Sequence, residues 1–225
     1  MNAAAGKMET ALFAVGFAMA GLVLLALVWS GAGPYADMAR ASGVNGTTFK
    51  NGDVETAVSL DAMTEVHRQW AAYVTGGVAD APRFEPPLFT EDEHSHMTDV
   101  RQVFDGAKIL IPAGLFVMAI RLQRARSRSA ATMLRLIRDG ATVAVVAVTL
   151  IGIVAAVAFD AAFLLFHQIF FPQGNFLFDP ATSNLLRLYP DWYWQGITFR
   201  VGLSFIGLAA AVAVTAAVGL RRALH

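Results

Sequence analysis

The sequence predicts an all-α integral membrane protein with four transmembrane helices and a small extracellular cap between helices 1 and 2. Three observations carry this expectation. Of the 225 residues, 56% are hydrophobic and only 15% are charged, at a mean hydropathy of +0.53, whereas a soluble domain carries about a quarter charged residues. The apolar residues gather into long uncharged runs of the length a bilayer requires. The basic residues, finally, concentrate in alternate connections between those runs.

The first run, residues 10–29, is longer than the apolar region of a signal peptide. It is read as a retained membrane helix, even though small residues (Ser30, Gly31, Ala32) follow it. Residues 1–30 thus form a cytoplasmic N-terminus and first span, and residues 31–105 a polar extracellular cap. Within the cap, Asn45-Gly46 and Asn51-Gly52 are turn dipeptides flanking a strand-length piece, 47–50. Asp53 is placed to cap a helix reaching Tyr73, with Val58, Met63, Val66, Trp70 and Tyr73 near helical spacing and Gly76-Gly77 as its stop. Thr90 and Glu93 stand three apart as a capping box opening a helix that can continue into the second span.

Residues 106–225 hold the remaining spans. The second, 107–120, is short, and Lys108 must snorkel or find a partner near its end. The third, 141–159, extends into an aromatic-rich stretch, 160–171, and the fourth covers 197–220. Arg121, Arg124, Arg126, Arg128, Arg135 and Arg138 crowd the linker between spans two and three, Arg221 and Arg222 follow span four, and Lys7 precedes span one. Basic residues mark the cytoplasmic side, so both termini are expected inside and both acidic connections outside.

Cysteine is absent, which excludes disulfides, thiolate nucleophiles and thiolate metal sites. No basic face adjoins exposed aromatics, so nucleic acid is not an expected partner. Neither a zinc-protease H-E-x-x-H nor a G-x-S-x-G nucleophile elbow occurs.

Chemistry therefore centres on histidine. His225 is terminal and carries no signal, and His67, beside Glu65 and Arg68, reads as part of a solvated helix face. In EDEHSHMTDV, each helical residue turns by about 100°, so His94 and His96 point to opposite sides. His94 shares its side with Thr98, Arg101 and Asp105 and reads as solvent-facing; His96 shares its side with Val100 and Val103 and faces inward. Asp99, three residues on, could orient the His96 ring. A half-buried histidine at a cap interface satisfies the same spacing.

In FDAAFLLFHQIFFPQGNFLFDP, Asp160 opens the segment and His167 follows two turns later on one face, with Phe163, Phe170 and Phe171 sharing or flanking that face. An ionisable group at membrane depth needs a partner, and Arg200 is the expected one, with Lys108 the alternative. Topology adds what neither motif supplies alone: His96 and His167 are expected at similar height on the outer side. No metal site is assigned, although His96, His167, Asp99 and Asp160 leave a metal-dependent membrane hydrolase open as an alternative. A membrane scaffold binding a partner through the acidic cap is the non-enzymatic alternative.

The HMTDV at 96–100, FHQIFF at 166–171, and FDP at 178–180 with the leucine-rich stretch to Pro190 resemble the lipoprotein intramolecular transacylases, a family of integral membrane proteins. The resemblance covers most of the chain. It implies four spans, an outer cap, and transfer of an O-linked acyl chain from the glyceryl group of a diacylglyceryl lipoprotein to the α-amino group of its N-terminal cysteine. It also implies His96 and His167 as catalytic residues and a pocket built from Phe163, Phe170, Phe171 and Trp192. The expected partners are the diacylglyceryl-modified lipoprotein and outer-leaflet lipid, and no cofactor is expected.

Overall fold

A computed structural model describes residues 3–223; His225 lies outside them. Four helices among these are long and apolar enough to cross a membrane: Ala5–Trp29, Glu91–Arg126, Ala130–Val157 and Asp191–Ala223. The protein is mostly helical, as expected, and it divides into two compact units.

One unit takes the chain up to Ala26, then Ala107–Val157, and Phe199 onward. It holds most of α1 (Ala3–Trp29), α5 (Leu110–Arg126), α6 (Ala130–Val157) and most of α9 (Asp191–Ala223). Lipid gives apolar helices no hydrophobic reason to associate, so close backbone packing through small residues has to hold them. Gly16 and Gly114 bring α1 and α5 into backbone contact: a Cβ on Gly16 would meet the Gly114 carbonyl oxygen at 2.8 Å. Phe13 fills the space over Gly140, and Phe205 the space over Gly21. Phe205 also packs with Ala14, Ala144, Val148 and Ala209. Outward-facing positions such as Phe116, Ile151 and Val154 are apolar and exposed, as lipid-facing positions should be.

The Glu91–Arg126 segment is nearly one helix, interrupted at Ile109 between α4 (Glu91–Lys108) and α5. Pro112 explains the interruption, since it cannot donate to the Lys108 carbonyl four residues back and its ring crowds that group.

The other unit comprises Leu27–Gly106 and Ala158–Thr198. Its elements are α2 (Ala32–Ala41), β1 (Gly46–Asn51), β2 (Val54–Ser59), α3 (Leu60–Val74), nearly all of α4, α7 (Phe159–Phe170), α8 (Asn184–Leu188) and the start of α9. Trp70, Tyr35, Met38, Met63 and Leu188 are among its largest fully buried side chains.

The all-α expectation fails in this unit. β1 and β2 form an antiparallel hairpin in which Asn51 pairs with Val54 across Gly52-Asp53. Gly52, at φ 58°, supplies the positive φ that a two-residue hairpin turn needs at its first position. Residues 54–59 are therefore strand, and Ser59 rather than Asp53 caps α3, its Oγ accepting from the Ala62 N–H at 3.3 Å. The β-branched content of TTFKNGDVETAV favours strand over the helix expected from Asp53. A second difference lies at Ala158. There the helix ends and α7 starts anew, so 160–171 is a separate element rather than an extension of the third span. No proline or glycine in the sequence marks that break.

Candidate active site

The start of α4 is fixed twice over. Thr90 and Glu93 form the expected reciprocal cap, with the Thr90 N–H donating to Glu93 Oε2 at 2.8 Å and the Glu93 N–H to Thr90 Oγ1 at 3.2 Å. Glu93 is almost wholly buried because its other oxygen accepts from Ser183 Oγ at 2.6 Å and from the Leu185 N–H at 2.8 Å. One carboxylate thus caps α4 and ties it to the start of α8. Next to it, Asn184 clamps the hairpin: its Nδ2 donates to the carbonyls of Lys50 and Leu88, and its Oδ1 accepts from the Lys50 N–H. These bonds hold the turn of α4 that carries His96.

α7 supplies the second histidine. His167 Nδ1 lies 2.8 Å from the Phe163 carbonyl oxygen, which can only accept, so Nδ1 carries the proton. In the neutral ring, Nε2 is left with the lone pair. Burial pulls the His167 imidazole below its ordinary range, with the Phe163 hydrogen bond partly opposing it.

The two imidazoles meet face to face, with ring centroids 6.1 Å apart and planes 16° from parallel. Each of the two residues is 7% exposed. Phe171 wedges against both, 4.7 Å from His96 and 5.4 Å from His167. Phe178 stands on edge to His96, and Phe163 and Phe176 flank His167. Both histidines line a cavity of about 290 Å³ whose walls are mostly apolar, Val100, Phe104, Phe163, Phe178, Leu185 and Trp194 among them.

The supporting residues differ in part from the expectation. Asp99 is engaged by the loop after α7, where its Oδ2 accepts from Gln173 Nε2 at 2.7 Å and from Asn175 Nδ2 at 2.6 Å. Asn175 is the residue beside the His96 ring. The buried Asn175 Oδ1 and His96 Nδ1 make no hydrogen bond among the described residues. Asp99 thus orients an amide, and the amide faces the imidazole. Phe170 is exposed and turned away from the cavity, while Trp192 packs on Tyr35 at 5.3 Å and leaves the wall to Trp194. Asp160 is exposed in the first turn of α7, where a carboxylate complements the helix dipole.

Two other histidines are not solvent-facing as expected. His94 is buried against Trp70, with centroids 5.0 Å apart, and against Phe89. The helical wheel separated His94 from His96 correctly, but both sides of this turn of α4 are enclosed. His67 is 1% exposed, stacked on Tyr35 and bonded through Nδ1 to Tyr189 Oη and through Nε2 to the Ser30 carbonyl. Burial drives its imidazole down to about 4, with the backbone hydrogen bonds opposing, so the ring is neutral where it lines the same cavity. Among the described residues, no three histidine, aspartate or glutamate side chains come together as metal ligands.

A buried histidine pair in an apolar, carboxylate-free cavity suits proton transfer at a lipid-like substrate. The family model of the lipoprotein intramolecular transacylase Lit matches residues 45–194, more than half of the chain and the segment containing this entire pair. The chain belongs to the Lit family. It is accordingly a transacylase, an acyltransferase of a bacterial membrane acting in lipoprotein modification. Its fold is similar to that of the membrane integral lipoprotein intramolecular transacylase Lit from Bacillus cereus, at TM-score 0.74 and 13% identity over 98% of each chain. A histidine-to-alanine variant of that protein matches at TM-score 0.71 and 12% identity, over 97% of this chain and 95% of that one. No match was found among curated proteins.

Proposed function

We propose that the Lit-family chain moves an acyl chain from the glyceryl oxygen of a diacylglyceryl lipoprotein to the α-amino nitrogen of its N-terminal cysteine, using His96 and His167 as its catalytic residues. The observation that carries this reading is the stacked, buried imidazole pair lining an apolar cavity. Acyl transfer to an amine needs a base for the amine proton and a donor for the developing oxyanion. The amine nitrogen attacks the ester carbonyl and its proton passes to one imidazole. The C–O bond to glyceryl then breaks, and the departing oxygen recovers a proton from the imidazolium. The products are an amide and a free hydroxyl, with no covalent acyl-enzyme and no cofactor required.

Free α-amino groups titrate near ~8 and imidazoles near ~6.5, so a neutral amine and a neutral base coexist near neutrality. His167, with its proton held on Nδ1, offers Nε2 as the base. Because donor and acceptor belong to one molecule, a cavity that folds the substrate gains an effective molarity of ~10⁵ M or more. The apolar wall of Phe163, Phe176 and Phe178 shields the ester from water. Asp99 acts through Asn175 to position His96; Asp160 and Arg200 are supporting charges.

In this reading residues 31–105 form an outer cap, the site faces the extracellular side beside outer-leaflet lipid, and both termini are cytoplasmic. The test is mass spectrometry of the N-terminal lipopeptide from a host that accumulates diacylglyceryl lipoprotein. Expression of the chain should move one acyl group onto nitrogen without changing the total mass. A hydrolysed product lacking one acyl chain would instead favour a hydrolase.

A further inference from the structure

A second cavity, of about 670 Å³, lies among α1, α5 and α6, far along the sequence from the histidine motifs. Its volume falls within the ~300–1,000 Å³ typical of small-molecule sites. Lys7, Arg121, Arg128 and Arg135 line it, against the carboxylates of Glu9 and Asp139. Both carboxylates are already engaged. Glu9 accepts from Arg121 at 3.2 Å and pairs with Arg124 at 3.6 Å, while Asp139 pairs with Arg138 at 2.7 Å. Arg138, the partner of Asp139, is not among the lining residues, whereas Arg121, which pairs with Glu9, is; Lys7, Arg121, Arg128 and Arg135 still outnumber the carboxylates of Glu9 and Asp139 along the wall. The Arg121 side chain is 17% exposed, and its buried Nε–H has no acceptor.

Local structure aims these groups at one volume. Thr132, Arg135, Leu136 and Asp139 follow helical spacing along a single face of α6. Ser129 caps that helix by accepting from the Thr132 N–H at 3.0 Å, and Arg128 and Thr132 on either side of the cap line the cavity. The site sits at the ends of three helices able to cross a membrane: the start of α1, the end of α5 and the start of α6. That is headgroup depth, and basic pockets between membrane helices are suited to anionic headgroups.

We propose that this cavity binds the phosphate of an anionic glycerophospholipid, a site separate from the acyl-transfer site and independent of its reading. Guanidinium groups match phosphate oxygens with paired N–H donors. Arg121 Nε–H, Arg128 and Arg135 would surround the phosphate, with Lys7 closing the solvent side.

Native mass spectrometry of the full chain, delipidated in detergent and titrated with phosphatidylglycerol or phosphatidylcholine, tests this. The wild type should retain phosphatidylglycerol preferentially. The Arg128→Gln/Arg135→Gln variant should bind it at least ~10-fold more weakly, since each surface cation contributes appreciably to anionic-lipid binding. Transacylation and thermal unfolding in phosphatidylcholine micelles should stay at wild-type values; should the double variant fail to fold, Lys7→Gln is read in its place. Glycerol 3-phosphate forms a second arm. Protection of the wild type by this soluble ester, with phosphatidylglycerol unable to displace it, would keep the phosphate site and assign it to a soluble ligand. Equal retention of both lipids, or wild-type phosphatidylglycerol affinity in the variant, overturns the proposal.

Discussion

At the scale of single residues, the chemistry depends on how His94, His96 and His167 are held. His96 and His167 are each turned into one cavity, whereas His94, two residues from His96, packs on Trp70. His96→Ala and His167→Ala should each lower acyl transfer by ~10²–10⁴-fold, the usual worth of a general base or oxyanion donor. The double variant should be little worse than either single one, because groups acting as a unit lose their joint contribution once either is gone. Asn175→Leu keeps the branched shape but removes both the amide beside His96 and a donor to Asp99. It should lower the rate of transfer more than substrate affinity. His94→Ala belongs to a different class: it opens space in the Trp70–Phe89 cluster, so the expected effect is a lower unfolding temperature in detergent with near-normal activity in the folded fraction. Lipopeptide mass spectrometry beside thermal unfolding separates these outcomes. Full activity in the His96, His167 double variant would remove the enzymatic role of the pair.

Among elements, the capping box is the feature whose consequences reach furthest. Thr-x-x-Glu before a helix was legible as a local start signal. That the same Glu93 would also cap α8 through Ser183 and Leu185 was not, because those partners lie 90 and 92 residues away. Glu93→Ala should therefore cost far more than a lost N-terminal cap. It leaves the Thr90 N–H, the Leu185 N–H and the Ser183 hydroxyl without their acceptor, and buried donors stripped of a charged acceptor cost ~1–3 kcal/mol each. Glu93→Gln retains one acceptor oxygen and should lie between. Thermal unfolding in detergent measures both; equal stability of wild type and Glu93→Ala would mean that the cap does not hold α4. The hairpin offers the opposite lesson. Its alternating Thr, Phe and Val residues and its Gly52 turn were visible, yet Val58, Met63 and Val66 also fit a helical period, and only the pairing of β1 with β2 decides for strand.

For the molecule as a whole, membrane topology is the quantity to measure. Arginines crowd the end of α5 and the start of α6 and follow the apolar part of α9, while residues 31–105 are polar with acids prominent. Reporters fused after Arg128 and at the C-terminus should read cytoplasmic, and one placed near Asp80 should read external. An external C-terminus would break the four-span reading and, with it, the outer position of the histidine pair.

Hydropathy and capping are local properties, carried by residues a few positions apart, and so the sequence by itself determined the four apolar helices, the start of α4 and the two histidine motifs. Burial is a property of the packed chain. Only the tertiary structure could decide that His67 and His94 are enclosed, that α7 is separate from α6, that Trp194 rather than Trp192 lines the cavity, and that Asn175 stands between Asp99 and His96. The enclosure of His67, the packing of His94 on Trp70 and the Asp99–Asn175 bond rest on contacts between segments distant in sequence, where neither spacing nor periodicity carries information.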